Sequence, residues 1–337
     1  MRAVVYQETG PSSVLEVAER DLPEPGPGEV RVRVLRSGVN PTDWKFRAGM
    51  MSGYDEVVPG QDGAGVVDAL GEGVDGVAVG DPVWLVLAQH GRAYGTAAEF
   101  TVQPAGRVVP LPEGASFDLG ASLGVPAVTA HRALTAAEGG PSRLGPGALQ
   151  GRVVLVAGGA GAVGHAAIQL ARWAGATVVA TVSSEEKARL ARAAGAHHVV
   201  NYREPGVAQA ILAVAPDGVD VAVEVAPAQN IELDLEVVRV HGTVSIYANN
   251  GGDTLSLPLR AAFGKNLRFQ FLILYTLHEQ LLRAAVEDVS AALAGGALRV
   301  GEDAGLPLHH YPLARAAAAQ DAVEAGAVGK VLLDVAD

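Results

Sequence analysis

Residues 153–187, VVLVAGGAGAVGHAAIQLARWAGATVVATVSSEEK, carry the residue types and spacing best suited to chemistry. Gly159, Gly161 and Gly164 form a Gly-x-Gly-x-x-Gly run, directly after a β-branched apolar stretch and at the opening of an amphipathic one. In that context the first glycine allows a tight turn and the second lets backbone approach a pyrophosphate. The third lets helix pack closely on strand. Gly158 precedes the run, and the amides of Ala162 and Val163 at the helix N-terminus would face phosphate oxygens, favoured by the helix dipole. Val163, Ala167, Leu170 and Ala174 recur at helical spacing, and Gly175 supplies a stop. This is the pattern of a dinucleotide-binding unit.

The end of the next strand decides which dinucleotide. An NAD-preferring site presents a carboxylate there, about 20 residues on, to accept the ribose hydroxyls. Here the strand runs out into Ser183 and Ser184, and Glu185 and Glu186 fall in the first helical turn, where they complement the dipole. With Lys187 one turn further along, this turn suits a 2′-phosphate, hence NADPH.

The elements that must position these residues alternate in a regular way. Strands are expected over 153–157, 177–182, 198–201, 219–225, 243–247 and 267–274, interleaved with helices over 163–174, 185–194, 207–214 and 231–238. That alternation predicts right-handed βαβ crossovers and an α/β Rossmann domain with a parallel, doubly wound sheet. Upstream, β-like runs over 2–6, 15–19, 29–37, 63–70, 81–87 and 98–103 are separated by Gly/Pro turns, which suggests a compact barrel or folded sheet. The style changes near Pro126, where a helix over 128–137 leads into a Gly/Pro-rich connection. Helices over 281–293 and 314–324 and a strand over 330–335 close the chain.

Composition narrows the classes further. A chain of 337 residues has room for two domains. An apolar fraction of 49% with 42 glycines and 19 prolines describes a turn-rich globular protein rather than a disordered one. The net charge of −12 is thinly spread, with no basic stripe, which argues against a nucleic-acid partner. With no cysteine, disulfides, thiolate catalysis and Cys-based metal sites are excluded. MRAVVYQETG reads as a strand and turn rather than a signal peptide, and no apolar run approaches the roughly 18 residues of a membrane span. A soluble, cytoplasmic protein is expected.

The motifs GVNPTDWKFRAG, PGQDGAGVV, GEGV, GDPV, GTAAEF, GVPAVTAHRAL, the glycine turn, NYRE and GKVLL follow one another over nearly the whole length. In that order the chain resembles the zinc-free quinone oxidoreductase, or zeta-crystallin-like, branch of the medium-chain dehydrogenase/reductase family. The resemblance implies a GroES-like β-barrel catalytic domain made of residues 1–125 and 275–337, and a Rossmann domain at 126–274. It also implies a homodimer, through edge strands at 243–247 and 267–274. Zinc-dependent relatives carry Cys and His ligands where this chain has Asn40 and Gln61, so no metal is expected.

Carried over residue by residue, the resemblance puts Asn40 at the nicotinamide and substrate cleft and Thr129 against the nicotinamide from the other side. Lys187 and Tyr202 meet the adenosine 2′-phosphate, with Ser183 adding a hydroxyl, and Lys330 closes on the cofactor. Phe271 and Leu272 fall near the nicotinamide, Asn249 in a cofactor-facing loop, and Lys45 where some relatives carry a tyrosine lining the substrate site. Tyr247 stands where many relatives have a small residue.

With neither thiol nor metal, the hard chemistry belongs to the cofactor. The expectation is an NADPH-dependent reductase that hands hydride to a quinone or to the β-carbon of an α,β-unsaturated carbonyl. The Asn40 amide would steady the developing oxyanion, and the proton would come from water, Lys45 or Tyr54. One alternative is an enoyl-thioester reductase, which needs a basic patch at the cleft mouth to hold a carrier phosphate; Arg47 and Lys45 are too few to make one. Another is an NADPH-binding protein with little turnover.

Overall fold

Runs of Val, Ala and Thr build the sheet that carries the glycine turn. The segments VVLVA, TVVATV and VDVAVE are mostly apolar and rich in β-branched residues, as strands covered on both faces tend to be. In the computed structural model, which describes residues 1–50 and 53–336, they form the centre of a six-stranded parallel sheet. Its order is His198–Asn201, Thr177–Val182, Val153–Ala157, Val219–Glu224, Val238–Ile246, Arg268–Phe271. The chain leaves Val153–Ala157 in one direction and later returns to its other side at Val219–Glu224. The topological switch point of the sheet therefore lies directly after Val153–Ala157.

Helix Ala162–Trp173 buries every residue from Gly164 to Ala171. Helix Glu185–Ala194 is capped by the Ser184 hydroxyl, which accepts from Lys187 N–H at 3.3 Å, and stopped by left-handed Gly195. The expected strand over 267–274 is shorter, Arg268–Phe271, and gives way to a 3₁₀ turn at Leu274–Thr276. The one expected over 243–247 begins earlier, as Val238–Ile246, and bends where exposed His241 takes a φ of 62°. His-Gly at that point looks like a turn in the sequence.

Two compact units result, Met1–Val125 with Pro307–Asp337, and Pro126–Leu306. The return to the first unit thus falls at Pro307 rather than at residue 275. Asp288, buried on helix Glu279–Ala294, supplies one reason. Its Oδ2 lies 2.7 Å from His131 Nε2 and accepts the Leu144 N–H at 2.6 Å, while Oδ1 takes the Arg143 guanidinium at 2.6 and 2.8 Å. His165 supplies another: its Nε2 is 2.8 Å from the Ala304 carbonyl, and burial pushes the ring down to about 4. Residues 275–306 are tied to the helices and loop of the second unit by groups that no local pattern pairs.

The first unit is built on the long strand Glu29–Val39. One side pairs with Asp62–Leu70; the other is shared, Phe100–Pro104 taking the first half and Lys330–Asp334 the second. The sheet continues through Pro82–Leu85 to Val108–Pro110 at one end and through Lys330–Asp334 to Leu308–Pro312 at the other. Val331 stands opposite Val39 and Leu332 opposite Gly38 in an antiparallel register. That register carries Lys330 to Asn40.

Candidate functional site

The second unit gathers its predicted residues at one edge of the parallel sheet. Gly158–Gly164 follow Val153–Ala157; Ser183 and Lys187 follow Thr177–Val182; Tyr202 follows His198–Asn201; Asn249 and Leu272 follow the last two strands, and Phe271 ends the last. All of these lie at or just beyond the carboxyl ends of the strands, where open α/β sheets bind ligands; Thr129 is the exception, on helix Gly124–Leu134.

The glycines divide their labour differently from the sequence expectation. The left-handed turn residue is Gly158, with φ 68°, not Gly159. A Cβ on Gly159 would lie 2.8 Å from Ala180 Cβ and 3.2 Å from Ile168, so this glycine lets the helix settle on the sheet. On Gly164 a Cβ would come within 2.4 Å of the Gly158 carbonyl. On Gly161 it would meet nothing closer than that same carbonyl at 3.4 Å. Only the Gly161 position is open, and beside it the first amides of helix Ala162–Trp173 lack intrahelical acceptors. Open space and unpaired N–H groups at a helix N-terminus suit a pyrophosphate.

The Tyr202 N–H donates to the Val182 carbonyl at 2.9 Å, which sets Tyr202 beside the Ser183–Lys187 turn. Ser183 is buried, Lys187 half-buried and Tyr202 half-exposed. Glu185 is held by Arg192, Oε1 to Nη1 at 2.6 Å, so it serves its own helix. No carboxylate stands at the end of Thr177–Val182, where a ribose diol would seek one. Asn249 donates to Asp253, Phe271 is 62% exposed, and Leu272 is buried, its N–H on the Ile246 carbonyl at 2.9 Å. Thr129 is buried in helix Gly124–Leu134.

In the first unit, the structure brings Asn40 and Lys330 together with two carboxylates. Lys330 Nζ donates to Asn40 Oδ1 at 2.8 Å and to Asp62 Oδ2 at 3.3 Å, and all three side chains are buried. Asn40 Nδ2 donates to Asp62 Oδ2 at 2.8 Å, with the Gly38 carbonyl 3.4 Å away. Asp62 Oδ1 accepts the Val125 N–H at 2.7 Å. Burial pushes the Asp62 carboxyl up, against the opposing pull of Lys330, Asn40 and that N–H. A Cβ on Gly38 would lie 2.0 Å from the Ala121 carbonyl oxygen and 3.0 Å from the Lys330 Cε, so glycine is needed first for the close backbone approach and also leaves room for the lysine stem.

The Asn40 amide, expected as a donor to an oxyanion, is thus committed at both ends inside this unit. Gln61 is fully buried and neither its Oε1 nor its Nε2 has a partner. Lys45 lies half-buried, its ammonium 5.7 Å from the Trp44 ring. Arg47 is buried and occupied: Nε donates to Gln320 Oε1 at 2.7 Å, Nη1 to the Gly10 carbonyl at 2.5 Å, and Nη2 pairs with Glu324 at 3.5 Å. Asp43 and Asp62 were not singled out from the sequence. The signal available was their place beside Asn40 and Gln61 in NPTD and GQD.

Residues 26–113 match the family model of the alcohol dehydrogenase GroES-like domain, and residues 162–291 that of the zinc-binding dehydrogenases. The quinone oxidoreductase of Rattus norvegicus is 30% identical over 99% of this chain and 97% of its own. A crystal structure of an NAD-dependent alcohol dehydrogenase superposes with a TM-score of 0.85 at 30% identity, each chain covered in full. A mycobacterial structure complexed with NADPH gives 0.82 at 28%, with 99% of each chain covered. A GroES-like unit joined to a Rossmann unit defines a medium-chain dehydrogenase/reductase. The chain belongs to that family, in its quinone oxidoreductase branch.

The name of the second family model raises zinc. The donors at the two positions in question are amides, and an ammonium is hydrogen-bonded to one of them. Zinc is held by thiolate, imidazole or carboxylate, and a neighbouring ammonium repels it. These residues do not fit the metal.

Proposed function

We propose that the protein is an NADPH-dependent, metal-independent reductase that transfers hydride to a quinone or an α,β-unsaturated carbonyl. The observation that carries this reading is the turn after Thr177–Val182, which offers Ser183, Lys187 and Tyr202 together and no carboxylate at the strand end. A lysine and two hydroxyl groups suit a 2′-phosphate better than a free diol.

Gly161 leaves room for the pyrophosphate, and Ala162 and Val163 turn their amides to it, with Gly158, Gly159 and Gly164 fixing the turn. Thr129, Asn249, Phe271 and Leu272 are the groups assigned to the nicotinamide side. When bound, the cofactor supplies the hydride. The part played by Asn40 and Lys330 is to keep a buried, charge-balanced framework on the substrate side, since the Asn40 amide is already engaged. The Lys45 ammonium lies over the Trp44 ring and is given no proton-transfer step, so in this reading water supplies the proton. Arg47, engaged by Gln320, Gly10 and Glu324, is not free to hold a carrier phosphate, which weakens further the already sparse basic patch an enoyl-thioester reading needs.

The reading extends to a homodimer through the end strand Arg268–Phe271; the other expected edge, within Val238–Ile246, is paired on both sides and is not an edge. Phe271, Ile273, Phe263 and Leu259 are exposed along and beside Arg268–Phe271, more apolar surface than an edge strand normally leaves bare. Among the described residues no helix is long and apolar enough to cross a membrane.

Oxidation of NADPH followed against a panel of quinones, simple enones and enoyl-CoA esters tests the proposal. Quinones or enones should be turned over well ahead of the thioesters. Thermal stabilisation by NADPH with no acceptor reduced would make this a binding protein instead.

A further inference from the structure

Helix Pro41–Lys45 starts at Asn40, and Asp43 closes its first turn by accepting the Asn40 N–H on Oδ2 at 2.7 Å. The other carboxyl oxygen, Oδ1, is buried without a hydrogen-bond partner. Beside it lies a small cavity lined by Ser37, Asp43, Gly60, Ala97, Ala316 and Gln320, with room for roughly one water molecule.

The hydrogen bonds around the cavity fix what it presents. Thr96 Oγ1 donates to the Asp62 carbonyl at 2.6 Å, so the Ser37 hydroxyl, 2.7 Å away, donates to Thr96 and keeps its lone pairs. Gln320 spends its Oε1 on Arg47, which leaves its amide nitrogen to donate. A carboxyl oxygen, a hydroxyl acceptor and an amide donor are partners enough for a bound water.

Charge supplies a second constraint. Asp43 and Asp62 are two buried carboxyls, and Lys330, hydrogen-bonded to Asp62 and Asn40, is the cation between them. One ammonium is insufficient for both, and Asp43 is the carboxyl it does not touch. Burial, with Asp62 adding to it, pushes Asp43 up to about 7 against the pull of the Asn40 N–H, Lys330 and the Gly60 N–H. The other ionisable groups around it are Tyr6 from the N-terminal segment, Lys45 on its own helix, and Arg47 with its partner Glu324 on helix Ala316–Glu324.

We propose that Asp43 is a positioning residue for Asn40, acting through a single internal water held in this cavity by Asp43 Oδ1, Ser37 and Gln320. In its protonated form it closes the turn without adding charge. Once ionised it competes with Asp62 for Lys330 and slackens the Asn40 turn.

Hydrogen exchange of residues 38–46 in the full-length protein, corrected for intrinsic rates, tests this between about pH 6 and pH 8.5. Protection in the wild type should fall several-fold through about pH 7, and Asp43→Asn, which keeps the acceptor but not the charge, should hold it constant. Equal pH dependence in both proteins would overturn the proposal. So would a high-resolution crystal structure with a dry cavity. Should Asp43→Asn fail to fold, Ala316→Val fills the cavity from the opposite wall. The exchange midpoint should then rise, since the ionised carboxyl loses its water, and an unmoved midpoint contradicts the idea.

A further arm rests on the reductase reading. In the wild type kcat should fall over the same pH window with KM for the acceptor unmoved, and Asp43→Asn should abolish that fall. An identical fall in the variant would sever Asp43 from the reaction. If no acceptor oxidises NADPH at all, the reductase reading fails while the exchange comparison still decides the role of Asp43.

Discussion

In the proposed reading Lys187 supplies the charge that favours a 2′-phosphate, beside the hydroxyls of Ser183 and Tyr202. Its side chain leaves the first turn of helix Glu185–Ala194, beside buried Ser183 and half-exposed Tyr202. Lys187→Glu should weaken NADPH by at least about tenfold, or ~1.4 kcal/mol, while leaving NADH nearly unchanged, as read by titration calorimetry with each cofactor. Equal losses would argue against a 2′-phosphate contact. Lys330 belongs to a different balance. Lys330→Met leaves the Asp62 carboxyl buried without its cation, a change that costs about 3–5 kcal/mol and should appear as a large drop in Tm. Adding Asp62→Asn should recover much of that loss. Asn40 and Lys330 were both visible in the sequence as motif positions. Their contact was not, because they lie 290 residues apart and meet through the antiparallel register of Lys330–Asp334 on Glu29–Val39.

At the scale of the element, the turn between Val153–Ala157 and helix Ala162–Trp173 separates folding from binding. Gly164→Ala would drive a Cβ to 2.4 Å from the Gly158 carbonyl and should lower Tm sharply, with or without cofactor. Gly161→Ala finds free space in the protein alone, so its stability should stay within about 0.5 kcal/mol of wild type. Its affinity for NADPH should nevertheless fall, since the added methyl occupies the approach to the phosphates. Calorimetric Tm with and without NADPH separates the two effects. The fingerprint made this turn legible because its glycines are local, and only the division of tasks among Gly158, Gly159 and Gly161 needed coordinates. The short helix Leu259–Lys265 and the strand Leu308–Pro312 were not anticipated, for their sequences PLRAAFGK and LHHYP carry little periodicity of either kind.

Across the whole molecule, buried ionisable groups set opposing limits on stability with pH. His165 is held neutral in the fold at about 4, below its ordinary 6.5, so the unfolded chain binds the proton first. Stability from this group is full above pH 6.5 and is lost as pH falls toward 4, by about 3 kcal/mol. His165→Gln should flatten that acid limb in denaturant titrations. Asp43 has the opposite sign. Its raised value means that the fold holds the proton more tightly, so stability is present below its ordinary 3.8 and is lost as pH rises through about 7. The two-unit plan was legible from the change of pattern near Pro126 and from the family motifs. Its second boundary was not, because Asp288 and His165 make the ties of residues 275–306 through side chains with no local signature.

The proposed activity is cofactor-specific hydride transfer to a small acceptor. Its most direct test is the initial rate of NADPH and NADH oxidation at 340 nm with one quinone, measured in parallel on the wild-type protein. A kcat/KM at least about tenfold higher for NADPH is the predicted result. Equal or faster turnover of NADH, or no oxidation of either, would contradict it.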